Sequence, residues 1–144
     1  MIVRILLAAA LLLGPASVQA QNRVPSPNAL ESLVKATLLT FNDANVTGIY
    51  TVFHAKLSKP FRDQFPPEKL EKVFAEFRQK QIDVESIAAL VPVYDPAPQV
   101  DKDGHLIVQG YFPTEPMRLR FDLDYIPSDG EWKLVGINVK TVNP

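Results

Sequence analysis

The chain has 144 residues, a formal net charge of −1 and no cysteine. The missing thiols exclude disulfides, thiolate metal sites, iron–sulfur clusters and a cysteine nucleophile. A nearly neutral chain lacks the basic footprint that a phosphate backbone demands, so nucleic acid is not an expected partner. Apolar residues at 47% and charged residues at 22% are the composition of an ordinary globular protein, and the length suits one domain rather than two.

The first twenty residues read as an export signal. Arg4 gives a positively charged start, and Ile5 to Leu13 is an unbroken apolar run. Gly14-Pro15 ends any helix, and Val18-Gln19-Ala20 predicts cleavage before Gln21. A bilayer span needs about 20 apolar residues, and Gly14, Pro15, Ser17 and Gln19 interrupt too early for that. No cysteine follows to carry a bacterial lipid anchor. The expectation is an exported bacterial protein, periplasmic or secreted, with no membrane anchoring after cleavage. Loss of Arg4 takes the formal charge from −1 to −2.

Residues 21–27 form a polar lead-in, and residues 28–144 are expected to make a single domain. Asn28 is in position to cap a helix, with Glu31 three residues on. Leu30, Leu33, Val34, Thr37, Leu38 and Phe41 then recur at helical spacing. Asn42-Asp43-Ala44-Asn45 punctuates the chain, and a second helix carries Val46, Ile49, Tyr50, Phe53 and Leu57 until Ser58-Lys59-Pro60 stops it. Phe61 and Phe65 flank a charged turn. Pro66-Pro67 opens a third helix, with Leu70, Val73, Phe74 and Phe77 on its apolar stripe.

From Ile82 the period changes. Ile87 to Val93 is a short apolar stretch before the proline-rich Tyr94 to Pro98. His105–Phe112, Met117–Ile126 and Trp132–Val142 read as strands joined by short turns, which forces antiparallel neighbours. On the middle strand Leu119, Phe121, Leu123 and Tyr125 point one way, and Arg118, Arg120, Asp122 and Asp124 the other. In the last strand Trp132 and Leu134 share one parity, and Val135, Ile137 and Val139 the opposite one. Either a bulge near Gly136 resets the register or this strand is covered on both faces. The expected class is α+β: three N-terminal helices packed on a curved antiparallel sheet.

The order of helices and meander, together with the phrase Asp129-Gly130-Glu131-Trp132-Lys133, resembles the nuclear transport factor two-like superfamily, a cystatin-like α+β cone. In particular it resembles the small exported bacterial members of unassigned function. The resemblance covers residues 28–142. It implies a conical pocket between sheet and helices, walled here by Phe41, Tyr50, Phe53, Leu119, Phe121, Leu123, Tyr125 and Trp132, with His54 at its border. Plain core packing is the simpler account of these same stripes; a pocket would suit an apolar small molecule.

Catalysis in such a cone needs an enclosed carboxylate and a facing acidic donor. Asp122 and Asp124 lie on the polar parity, and Asp43 falls in an expected capping turn, so no acid is placed inside. His54 lies about 40° beyond Tyr50 on a helical wheel, at the edge of the buried stripe. It is the alternative acid or base, with Tyr50 or Tyr125 as donor, for a small cofactor-free isomerase or hydrolase. His105 has no neighbouring ligand in the sequence. No cofactor or metal is expected: the two histidines lack zinc spacing, and Asp101 to Gly104 resembles only the start of a calcium loop. The leading expectation is a non-enzymatic binding or assembly module. Ile107, Tyr111, Val135, Ile137 and Val139 are the expected outer-face patch through which a homodimer, including a structural one in the cell envelope, would form.

Overall fold

A computed structural model describes residues 23–144. The expected signal segment and its cleavage site lie outside the described residues. The helical half comprises α1 (Pro27–Thr47), α2 (Thr51–Lys56), α3 (Lys59–Gln64), α4 (Pro67–Val73) and α5 (Ala75–Gln79), followed by a 3₁₀ turn at Glu85–Ala89. The sheet half comprises β1 (Val93–Tyr94), β2 (Gln99–Val100), β3 (Leu106–Phe112), β4 (Arg118–Ser128) and β5 (Glu131–Val142). The α+β class and the order of helices before an antiparallel meander agree with the sequence reading. The helices are more numerous than expected, and all but α1 are shorter.

Helix α1 is capped two residues earlier than the expected Asn28. Ser26 is its cap, accepting a hydrogen bond from the Ala29 amide, and Pro27 occupies the first turn where its missing N–H is no loss. The helix then runs straight through Asn42-Asp43-Ala44-Asn45 and ends at Gly48. The asparagines do not break it because their side chains are bonded on its buried side. Asn42 donates Nδ2 to Asp83 Oδ1 at 2.9 Å and accepts from the Val84 amide at 3.0 Å. The expected third helix divides at Phe74, whose ring turns into an aromatic cluster around Phe41. Phe41 lies 4.8 Å from Phe74, 5.2 Å from Phe77 and 5.7 Å from Phe53, in tilted or edge-on arrangements. The residues around Phe61, expected as a turn, instead form α3, with Pro60 in its first turn.

In the sheet, β4 lies between β3 and β5, and the far edge of β3 is shared by β1 and β2. The sheet is open. Gly110 lets β1 approach closely: a Cβ there would lie 2.0 Å from the Val93 carbonyl oxygen. Asp129 and Gly130, at φ 52° and 79°, form the two-residue turn between β4 and β5, the geometry that matches the twist of paired strands.

Of the two alternatives for the last strand, the bulge is correct. Asp124 pairs with Gly136 while Tyr125 pairs with Leu134, leaving Val135 as the extra residue. Beyond it Ile137 pairs with Leu123 and Val139 with Phe121. Both therefore face the helices with their partners, and Val139 belongs to the core. The expected outer patch loses these two members, because the inserted residue reverses the parity on which that placement relied.

The inner face of the sheet presents Leu106, Val108, Phe112, Leu119, Phe121, Leu123 and Tyr125, each at most 1% exposed, against Val34, Leu38 and Phe41 of α1. Each such side chain contributes about 1.5–3 kcal/mol on removal from water. This layer holds the domain together without a covalent crosslink.

Candidate functional site

The expected conical interior is filled. Phe41, Leu119, Phe121 and Leu123 are all at most 1% exposed and pack as core, with Phe121 5.6 Å from Phe112 and 6.5 Å from Tyr94 between ring centres. Tyr50 is also buried, its hydroxyl donating to Asn45 Oδ1. His54 is half-buried beside the core, where Nε2 sits 3.2 Å from the Arg62 carbonyl oxygen. These residues are structural rather than pocket walls.

Three of the expected wall residues, Phe53, Tyr125 and Trp132, border a half-open groove of about 730 Å³ on the flank of the domain. One bank is a second face of α1, offset from the core stripe: Ala29, Leu33, Ala36, Thr37 and Thr40. The other bank is the β4–β5 hairpin, which supplies Tyr125, Glu131, Trp132 and Leu134. The end of α2 closes the groove with Phe53, Lys56 and Leu57. Leu57 is fixed there by a parallel bridge to Leu134 of β5, and the Ser58 amide donates to the Leu134 carbonyl at 2.9 Å. Short side chains along α1 leave space between that helix and the hairpin, and Trp132 borders it. Volume and apolar lining are those of a small-molecule site.

Polar groups enter this groove at two levels. At the floor, Thr37 Oγ1 lies 2.8 Å from the Tyr125 hydroxyl. Burial pushes the Tyr125 hydroxyl well above the usual phenol range, with the Thr37 contact opposing, so it stays protonated. At the rim, Lys56 Nζ donates to Thr40 Oγ1 at 3.3 Å, and Lys133 Nζ lies 3.5 Å from Asp129 Oδ2. Sequence reasoning missed the α1 bank. Its only further signal was the small residues Ala29, Ala36 and Thr40 at helical spacing beside the stripe that already held Leu33 and Thr37.

The acids of the middle strand stand outside. Asp122 is exposed on the outer sheet face. Asp124 is one-third exposed and 2.8 Å from His105 Nδ1, so His105 does have a partner, one that lies across the β3–β4 ladder and was invisible in the linear sequence. Burial raises the Asp124 carboxyl, and the His105 contact works against that rise. Asp101 Oδ1 accepts from the Asp103 and His105 amides, as a turn anchor does. The described residues contain no group of three or more His, Asp or Glu suited to a metal ion. Among them, neither Tyr50 nor Tyr125 has a carboxylate or imidazole hydrogen-bonded to its hydroxyl.

Of the outer-face patch, Ile107, Tyr111 and Val135 remain, each half-buried. The Arg118 guanidinium lies 4.6 Å from the Tyr111 ring centre, covering it with charge. A second, more polar cleft of about 610 Å³ lies near Asn45, Arg78 and Asp83, where Arg78 is held by Glu71 at 2.8 Å.

Fold and groove together define the class: an open-sheet α+β domain with a half-open apolar groove on its flank. No family model matches the chain, and no curated protein or solved structure matches it.

Proposed function

We propose that this chain is an exported small-molecule-binding module whose ligand, an apolar compound, lies in the groove between α1 and the β4–β5 hairpin. The observation that carries the reading is the groove's composition: a mainly apolar trough with the Thr37–Tyr125 hydroxyl pair inside it and Thr40, Lys56, Glu131 and Lys133 as its other polar residues. The export part rests on the Met1–Ala20 pattern, and amino-terminal sequencing of the secreted protein is expected to begin at Gln21. The helices-then-meander order is also what the resemblance to the nuclear transport factor two-like superfamily implies, and we carry that assignment as part of the proposal.

Trp132 is the sole tryptophan of the chain and borders the groove, so its emission reports occupancy. Titration with the neutral probe N-phenyl-1-naphthylamine is expected to give saturable energy transfer from Trp132. Ala36→Phe, which fills the trough from an exposed helix position, is expected to abolish that binding while leaving thermal unfolding intact. Transfer that never saturates, or that survives Ala36→Phe unchanged, would count against the reading.

A further inference from the structure

A hydroxyl carries one proton, and the proton positions at the groove floor are fixed by their partners. Thr37 Oγ1 lies 2.9 Å from the Leu33 carbonyl oxygen, one turn back along α1. A carbonyl only accepts, so the Thr37 proton points there. The 2.8 Å contact between Thr37 Oγ1 and the Tyr125 hydroxyl must then be donated by Tyr125. Both protons are committed within the protein. What the pair offers a ligand is acceptor capacity alone, the second lone pair of Thr37 Oγ1 and the unused lone pairs of the Tyr125 oxygen, inside a mainly apolar trough.

We infer that the groove selects a neutral apolar alcohol or phenol, whose hydroxyl donates to the Thr37–Tyr125 pair, over an ether or carboxylate of the same size. The inference rests on the proposed groove function and deepens it. A carboxylate would bring acceptors against acceptors and leave them unpaired in an apolar site. An ether fills the same space and donates nothing. An ammonium group would donate, but its charge would lose water in an apolar trough with no carboxylate at the hydroxyl pair.

Decan-1-ol and 1-methoxynonane are isomers that differ here only in the ability to donate, and decanoate supplies the charged comparison. Titrations followed by Trp132 emission are expected to show the alcohol binding about fivefold more tightly than the ether, the size of one added hydrogen bond, and decanoate weakest. Thr37→Val is the decisive variant. It keeps the side chain's shape, removes the acceptor of the Tyr125 proton, and turns that proton into the groove. The preference is then expected to disappear, because the alcohol and ether oxygens both accept that proton and the two isomers bind with similar affinity. Equal affinities for the two isomers in the wild type overturn the inference and leave the groove reading standing. Tighter binding of decanoate also overturns it, and assigns recognition to the rim lysines. No change in Trp132 emission with any of the three removes the groove reading itself.

Discussion

Gly136 stands directly across the ladder from Asp124, while its neighbour Val135 has no partner at all. The side chains of β5 therefore alternate in one sense before Val135 and in the other sense after it. Deletion of Val135 is expected to leave every inward residue inward, giving a protein that still unfolds cooperatively. Deletion of Asn138 is expected to turn Val139 outward and place Lys140 against Phe121, which buries an unpaired charge. Thermal unfolding by circular dichroism separates the two: a cooperative transition for the first deletion and none for the second. Equal behaviour of the two deletions would contradict the bulge.

Phe41 anchors the helical half through three aromatic neighbours. Phe41→Ala is expected to cost about 3–5 kcal/mol, the range for deleting a large buried ring, and Phe41→Leu distinctly less. Urea unfolding measures both. A loss under about 1 kcal/mol for the alanine variant would mean that the cluster does not support the fold.

Asn42 satisfies the buried Val84 amide and binds Asp83. Asn42→Ala leaves that amide unpaired and is expected to cost about 1–3 kcal/mol. Asn42→Asp restores an acceptor but sets a carboxylate beside Asp83, whose own carboxyl the native Asn42 contact holds below its ordinary range. Its deficit relative to wild type is expected to be larger at pH 7 than at pH 3, where protonation removes the repulsion. Chemical denaturation at the two pH values decides this, and a pH-independent deficit argues against the contact.

Tyr50, Tyr94 and Tyr125 are all held above the usual phenol range, in each case chiefly by burial. An unfolded tyrosine loses its proton near pH 10, whereas the buried one keeps it. Above that pH the unfolded state carries fewer protons than the native state, so stability falls as pH rises; below it the contribution is complete. Tyr125→Phe is expected to flatten this alkaline loss by up to about 1.4 kcal/mol per pH unit. Urea midpoints at pH 8, 10 and 11 provide the comparison, and parallel curves for the two proteins would refute it.

Much of the sheet was legible in the sequence because its signals are local. Strict alternation from Leu119 to Tyr125 and the Asp129-Gly130 turn needed no tertiary information. The last strand was half legible: the reading raised a bulge near Gly136 but placed Ile137 and Val139 as though it were absent. Asn42 and Asn45 looked like a helix break, since nothing in the chain near them reveals that Asp83, Val84 and Tyr50 supply their partners. The groove was the least visible feature. Hydrophobic periodicity reports which side chains turn inward, and core packing, its simpler account of Phe41, Leu119, Phe121 and Leu123, is what they do; the pocket walls came from the resemblance. An empty space arises where side chains are too small to meet, as at Ala29 and Ala36, and periodicity does not register that.

The Asn42 contacts with Asp83 and Val84 also join the two ends of residues 43–82, a stretch that holds the helices from α2 to α5. No residue of α5 is buried, and α4 buries only Leu70. The first half of this stretch is pinned to β5 by the Leu57–Leu134 bridge. Helices α4 and α5, by contrast, are held chiefly by Leu70 and by the Phe74 and Phe77 contacts with Phe41, so these two helices are the part of it able to open while the sheet and α1 stay closed. Amide exchange in α4 and α5 then proceeds by partial opening rather than global unfolding. The shorter helices become the first part of the molecule that a protease can enter.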